Sequence, residues 1–466
     1  MYTKKCFVLT FIALLTVCFA CSKEDIKEPP VDPEVDEINA WIYDIMYKNY
    51  LWYDEIPSKE SLKFNAEPED FFYSLLSKKD GTTYNGGWLV FSQIEEKQPT
   101  SKTIIENIPT YGFEFGIYRR TGDSFVTAQI LYVLPGSPAD KAGLKRGDWI
   151  LSVGEQQAKI TDYSVLETGG EVIFNMGQYN STYTDHVATG SVKVTAARIM
   201  DNTPLLKDTV IQAGGKNIGY LLYNHFTSGP TGVSDKAYDN QMKEIFRNFK
   251  SKQVNEFVLD LRYNSGGLVT SAILLSSLLA PTEALGNIWG YFEYNDKIAT
   301  KEEKKIFESA SNMANLNINL QKLYVLTGNV TASSSEAVIN SLIPYMGREN
   351  IRLLGTKTIG KTVGSTTFGE KENYGYLLHP IILRVSNKDH EADYANGFSP
   401  DVEFEEHAWR QPLGELGTTN DPLLNLAINE ITGSRERMSI PLQPATPYEM
   451  IYNSFDKKGI KGFIFE

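Results

Sequence analysis

Three short segments carry side chains whose types and spacing could do acyl-transfer chemistry. Thr331-Ala332-Ser333-Ser334-Ser335-Glu336 sets three hydroxyls in a row ahead of an apolar stretch, 337–346, that reads as a helix. A hydroxyl at a helix head has unpaired backbone N–H groups beside it, and the helix dipole there favours negative charge. A nucleophilic oxygen needs that setting, but a Ser/Thr run with Glu three positions on is also an ordinary capping box. Residue type does not rank Ser333, Ser334 and Ser335. The second segment, 355–365 (GTKTIGKTVGS), holds Lys361 among small residues with Ile359 and Val363 close by. Lysine serves as a general base only when uncharged, so burial must pull its pKa from roughly 10.4 towards about 7–8, a differential interaction of roughly 4 kcal/mol. An exposed lysine in a Gly-rich turn is the plain alternative. The third segment, 259–267 (LDLRYNSGG), runs a strand into Gly266-Gly267. Two glycines can turn sharply and offer bare amides to an oxyanion, or simply make a turn.

Other chemistries fit less well. Residues 355–362 match the phosphate-loop pattern G-x-x-x-x-G-K-[ST], which requires a helix directly afterwards. Val363-Gly364-Ser365-Thr366 is β-like, so nucleotide binding is set aside. His390-Glu391-Ala392-Asp393 lacks the second His of a zinc-protease helix, and none of the 5 histidines is placed like a triad base. No metal and no cofactor is indicated. Formal net charge is −13, with 45 basic against 58 acidic residues and no basic cluster, which argues against a nucleic-acid partner.

These segments need a rigid frame. At 466 residues, 42% hydrophobic and 22% charged, the chain has the composition of a folded multidomain protein rather than a disordered one. Asn217 to Leu222, Glu256 to Leu261 and Lys322 to Thr327 read as buried strands. Met242, Ile245, Phe246 and Phe249 mark an intervening helix, so residues 200–433 are expected to form an α/β core. Trp41, Ile42, Ile45, Met46 and Tyr50, then Phe71, Phe72, Leu75 and Leu76, predict a small helical domain over 38–109. Residues 434–466 are read as a C-terminal extension.

The N-terminus reads as an export signal. Lys4 and Lys5 precede a short apolar run ending at Ala20, too short for a settled membrane-spanning helix. Ala20-Cys21 resembles the cleavage-and-lipidation box of bacterial lipoproteins. Residues 1–20 are then a signal peptide, Cys21 is the acylated residue, and 21–37, acidic and proline-rich, is a tether. Cys6 and Cys18 leave with the signal, so disulfides and thiol chemistry are excluded. The resemblance implies a Gram-negative cell envelope, with the protein held on the outer membrane and facing either the periplasm or the surface.

Residues 110–199 alternate like strands around 135–148 (PGSPADKAGLKRGD). Ser137 suits a helix cap, Pro138 the first helical position and Gly143 a left-handed stop. The string resembles the signature of PDZ domains, which bind extended peptides by strand addition. The peptide-gripping loop would be Gly112, Phe113, Glu114 and Phe115. Glu114 opposes an incoming C-terminal carboxylate, so peptide recognition there is expected to be internal, weak or regulatory, with a purely structural unit as the alternative.

Taken together, the three chemical segments resemble the carboxyl-terminal processing peptidases, or tail-specific proteases, in order and in motif. The likeness takes in the PDZ-like insertion and the segments at 397–402 (GFSPDV) and 420–424 (NDPLL). It implies an α/β multidomain fold with a crotonase/Clp-protease-like core, and polypeptide substrates cleaved by a Ser–Lys dyad. The family's nucleophile falls on Ser333, its base on Lys361, and its oxyanion donors on Gly266, Gly267 and Ser334. Many members carry Gln four places after the lysine to orient it; this chain has Ser365. That departure leaves a catalytically degenerate peptide-binding lipoprotein as the alternative. Oligomeric state is not readable from the sequence.

Overall fold

A computed structural model describes residues 34–84, 86–97, 109–120, 126–155, 163–180, 185–201, 203–406, 413–434, 448–455 and 463–464. The leader, Cys21 and most of the tether lie outside the described residues. Helix α1 (Val35–Asn49) begins inside the stretch read as tether and buries Ile38, Ile42 and Met46 on one face. Asn39 joins that buried face because its amide donates to the carbonyls of Phe64 and Ala66, at 2.6 and 2.7 Å. Helix α2 (Pro68–Ser74) opens on a proline, whose missing N–H costs nothing there.

The all-helical expectation for 38–109 is corrected. Strands β1 (Gly81–Tyr84) and β2 (Gly87–Val90) form an antiparallel hairpin, followed by β3 (Gln93–Glu96). The signal was present in Thr82, Thr83 and Trp88 to Val90, β-prone residues on either side of Asn-Gly, a turn-prone pair in the sequence.

The PDZ-like unit comprises β4 (Phe113–Arg120), β5 (Val126–Val133), the single turn α3 (Pro138–Lys141), β6 (Trp149–Val153), a 3₁₀ turn at Tyr163–Leu166, β7 (Val172–Tyr179) and β8 (His186–Val194). Ser137 caps α3 by accepting the N–H of Asp140, and Gly143 has φ +83°, as the string 135–148 predicts.

The core begins with β9 (Leu205–Ala213), β10 (Lys216–Tyr223), α4 (Ala237–Ser251), β11 (Glu256–Asp260) and α5 (Val269–Leu279). It continues through β12 (Ile288–Tyr294), β13 (Glu302–Ile306), α6 (Ala310–Met313), β14 (Leu323–Thr327), α7 (Ser334–Met346) and β15 (Ile351–Gly355). Then come β16 (Val363–Ser365), β17 (Tyr376–His379), β18 (Ile381–Ser386), β19 (Val402–Glu403) and α8 (Pro422–Thr432). One sheet runs β19-β15-β14-β11-β10-β9, parallel except at β9. Leu221, Leu259, Val325 and Leu353 stand in register across it and pack on one face with residues of α4, α5 and α7. Tyr220, Val258, Tyr324 and Leu354 on the other face pack with Leu424, Ala427 and Ile428 of α8. Both faces are therefore covered, which is why these strands are apolar throughout. Each fully buried leucine contributes about 1.5–3 kcal/mol.

A second sheet runs β13-β12-β18-β16, and β17 pairs with β3, so the N-terminal unit is stitched to the core by backbone hydrogen bonds. The stretch 434–466 is not a separate extension where it is described. Strand β20 (Tyr448–Asn453) joins the PDZ-like sheet, ordered β20-β4-β5-β6-β7-β8, and β21 (Phe463–Ile464) adds to β16. Such returns depend on pairing across more than 90 residues of chain, which no local pattern reports.

Candidate active site

Ser333 stands where β14 turns into α7, with φ 58° and ψ −119°. A side-chain-bearing residue held there stores about 1–3 kcal/mol of strain. The geometry also ranks the three serines. Ser334 Oγ donates to the Gly267 carbonyl at 2.7 Å and Ser335 Oγ to the Asn264 carbonyl at 3.0 Å. Ser333 Oγ is buried and has no hydrogen-bond partner among the described residues.

Glu336, legible as half of a capping box, does more than cap. Its Oε2 accepts the backbone N–H of Ser333 and that of Lys361, each at 2.9 Å. Its Oε1 accepts the Thr358 hydroxyl at 2.5 Å and the Gly360 N–H at 2.7 Å. One carboxylate therefore clamps the head of α7 to the loop carrying the lysine. Burial pushes Glu336 up to about 7, against the downward pull of the Thr358 hydroxyl and the three N–H groups.

Lys361 has no exposed surface. Its ammonium lies 5.0 Å from the centre of the Phe91 ring. Burial lowers its pKa to about 8, while the carboxylates of Asp80 and Glu336 pull the other way. Asp80 comes from the N-terminal unit, at the foot of β1. It accepts the Tyr50 hydroxyl at 2.9 Å and the N–H groups of Phe91 and Ser92 at 3.2 and 3.0 Å. Burial raises the Asp80 pKa, and the Ser92 and Tyr50 hydrogen bonds and the Lys361 charge oppose the rise. Asp80 and Phe91 were missed in the sequence, where Asp80-Gly81 is one more turn-prone pair.

The glycine pair needs a correction. Gly266 (φ +105°) lies so close to Ser333 that a Cβ there would stand 2.7 Å from the serine Cβ. Its N–H, however, is committed to Asn264 Oδ1 at 2.9 Å, which removes it as an oxyanion donor in this form. Gly267 (φ +132°) is barred from carrying a side chain by the Phe226 carbonyl, 2.2 Å from where a Cβ would sit. The N–H groups of Gly267 and Ser334 are not engaged in hydrogen bonds among the described residues, and the bond from Ser334 Oγ to Gly267 O holds these two residues together. Asn264 organises the turn, since its Nδ2 donates to the Tyr223 carbonyl at 2.8 Å and its own carbonyl accepts the Ala332 N–H at 3.2 Å.

Ser365 is buried on β16, its backbone opposite Ile381 of β18. The phosphate-loop match fails structurally: Gly355 ends a strand, and the strand β16 rather than a helix follows Thr362. In the PDZ-like unit Gly112 (φ +86°) makes the turn against Ser137, and Phe113 and Phe115 point into that unit's own core. Their rings are therefore not available as an apolar socket.

Comparison with known proteins gives three matches along the chain: the peptidase S41 N-terminal domain over 37–92, a PDZ domain over 129–166, and peptidase family S41 over 217–404. The structure is similar to that of a Bacteroides fragilis NCTC 9343 protein named as an S41 protease, with TM-score 0.75 and 33% identity, covering 87% of this chain and 99% of the other. The chain is 26% identical over 316 residues to the carboxyl-terminal-processing protease of a Picosynechococcus species, covering 65% of this chain and 66% of that protein. It is 25% identical over 268 residues to a CtpA-like serine protease of Staphylococcus epidermidis, covering 57% of this chain and 48% of that one. The chain thus spans two thirds or less of the length of these curated relatives.

Proposed function

The chain belongs to peptidase family S41, and from that premise we propose that it is a serine endopeptidase working through a Ser333–Lys361 dyad. The observation that carries this reading is the convergence of the Ser333 and Lys361 N–H groups on one oxygen of Glu336, with Ser333 Oγ, unlike those of Ser334 and Ser335, without a partner among the described residues. Burial lowers the Lys361 pKa to about 8, which leaves roughly a tenth of it uncharged at pH 7 and more as pH rises. Its Nζ takes the proton of Ser333 Oγ as the oxygen attacks a peptide carbonyl. The oxyanion is received by the N–H groups of Gly267 and Ser334. The resulting ammonium returns the proton to the departing amine, and water activated by the same lysine hydrolyses the ester, restoring the serine. The net change is one peptide bond and one water converted to a carboxylic acid and an amine. Ser365 is assigned the orienting role that many relatives give to glutamine.

Two features favour the alternative of a silent binding protein: the pair is sealed from solvent in this form, and Ser365 has a shorter reach than glutamine. A fluorophosphonate probe and an unstructured polypeptide separate the readings. We expect wild type to label at Ser333 and to cleave the polypeptide, and Ser333→Ala and Lys361→Ala to abolish cleavage with the fold retained. A folded wild type that neither labels nor cleaves would overturn the peptidase reading. We further propose that Cys21 is lipidated and anchors the protein to a Gram-negative outer membrane; Cys21→Ala should then move the protein from the membrane to the soluble fraction.

A further inference from the structure

The groove in which a PDZ-like unit takes an added strand lies along β4, opposite the turn at Tyr163–Leu166. In this chain the place is taken. Strand β20 runs antiparallel to β4, with Met450 opposite Tyr118, Tyr452 opposite Ile117 and Asn453 opposite Gly116. The pairing continues past the strand, where the Ser454 N–H donates to the Phe115 carbonyl at 3.0 Å and the Phe115 N–H donates to Ser454 Oγ at 3.0 Å. Ile451 and Tyr452 pack against the PDZ-like core, and the Tyr452 ring lies 4.9 Å from that of Tyr163 on the far wall. The Tyr452 hydroxyl donates to Glu167 at 3.2 Å.

The loop end of the groove has been rebuilt for a chain that does not stop. Glu114, which would repel a terminal carboxylate, accepts the Ser454 hydroxyl at 2.6 Å. The next residue, Phe455, stacks on Tyr263 with ring centres 5.5 Å apart, in the segment leading to Gly266-Gly267. Farther along, β21 pairs in parallel with β16, placing Phe463 opposite Gly364 and Ile464 opposite Ser365.

We infer that the PDZ-like groove is a binding site for an internal, non-terminal β-strand bearing a hydroxyl residue against Glu114, and that residues 448–455 of this chain are its resident ligand. Strand pairing supplies affinity, while Glu114 selects a neutral donor over a carboxylate. A tethered occupant competes at an effective concentration of about millimolar, so a free peptide enters only once the resident strand is released. The inference does not depend on whether Ser333 is a nucleophile, and its test is done in a Ser333→Ala background.

The probe is a fluorescent peptide of residues 447–456 with an amidated end. The full-length Ser333→Ala protein is compared with the same protein carrying Tyr452→Asp and Ser454→Asp, which loosen the resident strand and leave every groove residue intact. Anisotropy should show binding about tenfold tighter or more to the loosened protein. The same peptide with Asp in place of Ser454, or ending at Ser454 with a free carboxylate, should bind more weakly. Equal binding to both proteins, or binding to neither, would overturn the inference. Hydrogen exchange on the Ser333→Ala parent keeps the test independent of the variant's folding. The Ser454 N–H should exchange slowly, as amides of β5 do; exchange at the free-chain rate with β5 still protected would equally overturn it.

Discussion

Ser333 combines two costs that a purely structural residue would have no reason to bear: positive φ and a buried hydroxyl without a hydrogen-bond partner among the described residues. Glycine at this position would relieve both. Ser333→Gly is predicted to raise stability to urea by about 1 kcal/mol while abolishing hydrolysis, whereas Ser333→Ala, which keeps the strained φ, should gain less. Chemical denaturation of the three proteins checks this; a destabilised glycine variant would show that the turn is not strained. The neighbouring serines have a different task, since their hydroxyls bond the carbonyls of Gly267 and Asn264 and so tie α7 to the glycine turn.

At the scale of elements, the end of β11 and the start of α8 are fastened by Arg262. Its guanidinium pairs with Asp260 at 2.7 Å and Asp421 at 2.8 Å, and also with Glu406. Asp421 at the same time caps α8, accepting the N–H groups of Leu423 and Leu424. Glu406 also pairs with Arg146 of the PDZ-like unit at 2.5 Å, so one buried cluster joins that unit to the core. Removing the central cation leaves Asp260 and Asp421 buried without their cation, while Glu406 keeps Arg146. Arg262→Ala should cost about 3–5 kcal/mol, against less than about 1 kcal/mol for Arg352→Ala, whose partner Glu430 is part-exposed. Comparable urea midpoints for the two variants would refute the contrast. The motifs around residues 260–262 and 420–424 thus have a mechanical reason to occur together, separate from chemistry.

Across the whole molecule, the environment of Lys361 is assembled from units far apart in the chain. Phe91 and Asp80 come from the N-terminal unit and Glu336 from the core. With the neutral Lys361 amine as the proposed base, kcat/KM is predicted to rise with pH through about 8, as the ammonium loses its proton. Asp80 favours the charged form, so Asp80→Asn should lower the lysine pKa and move the rising limb to lower pH. Asparagine can keep the contacts to the Phe91 and Ser92 N–H groups through its carbonyl, so the fold should survive. An unmoved or alkaline-shifted limb in a folded variant would contradict the assignment.

Local chemistry sufficed for much of this architecture. Apolar strands and helical periodicity declare the α/β core, and Ser137, Pro138 and Gly143 specify one helical turn through caps and backbone preference alone. The ordered motifs point to Ser333 and Lys361 because each segment can be recognised within a few residues. The commitment of the Gly266 N–H to Asn264, the arrival of Asp80 beside Lys361 and the return of 448–455 to β4 were decided only in three dimensions. Each of these depends on which backbone donor or charge meets which partner. The hydrogen bonds and Coulomb interactions involved act over a few ångströms, between residues whose separation along the chain says nothing about their distance in space.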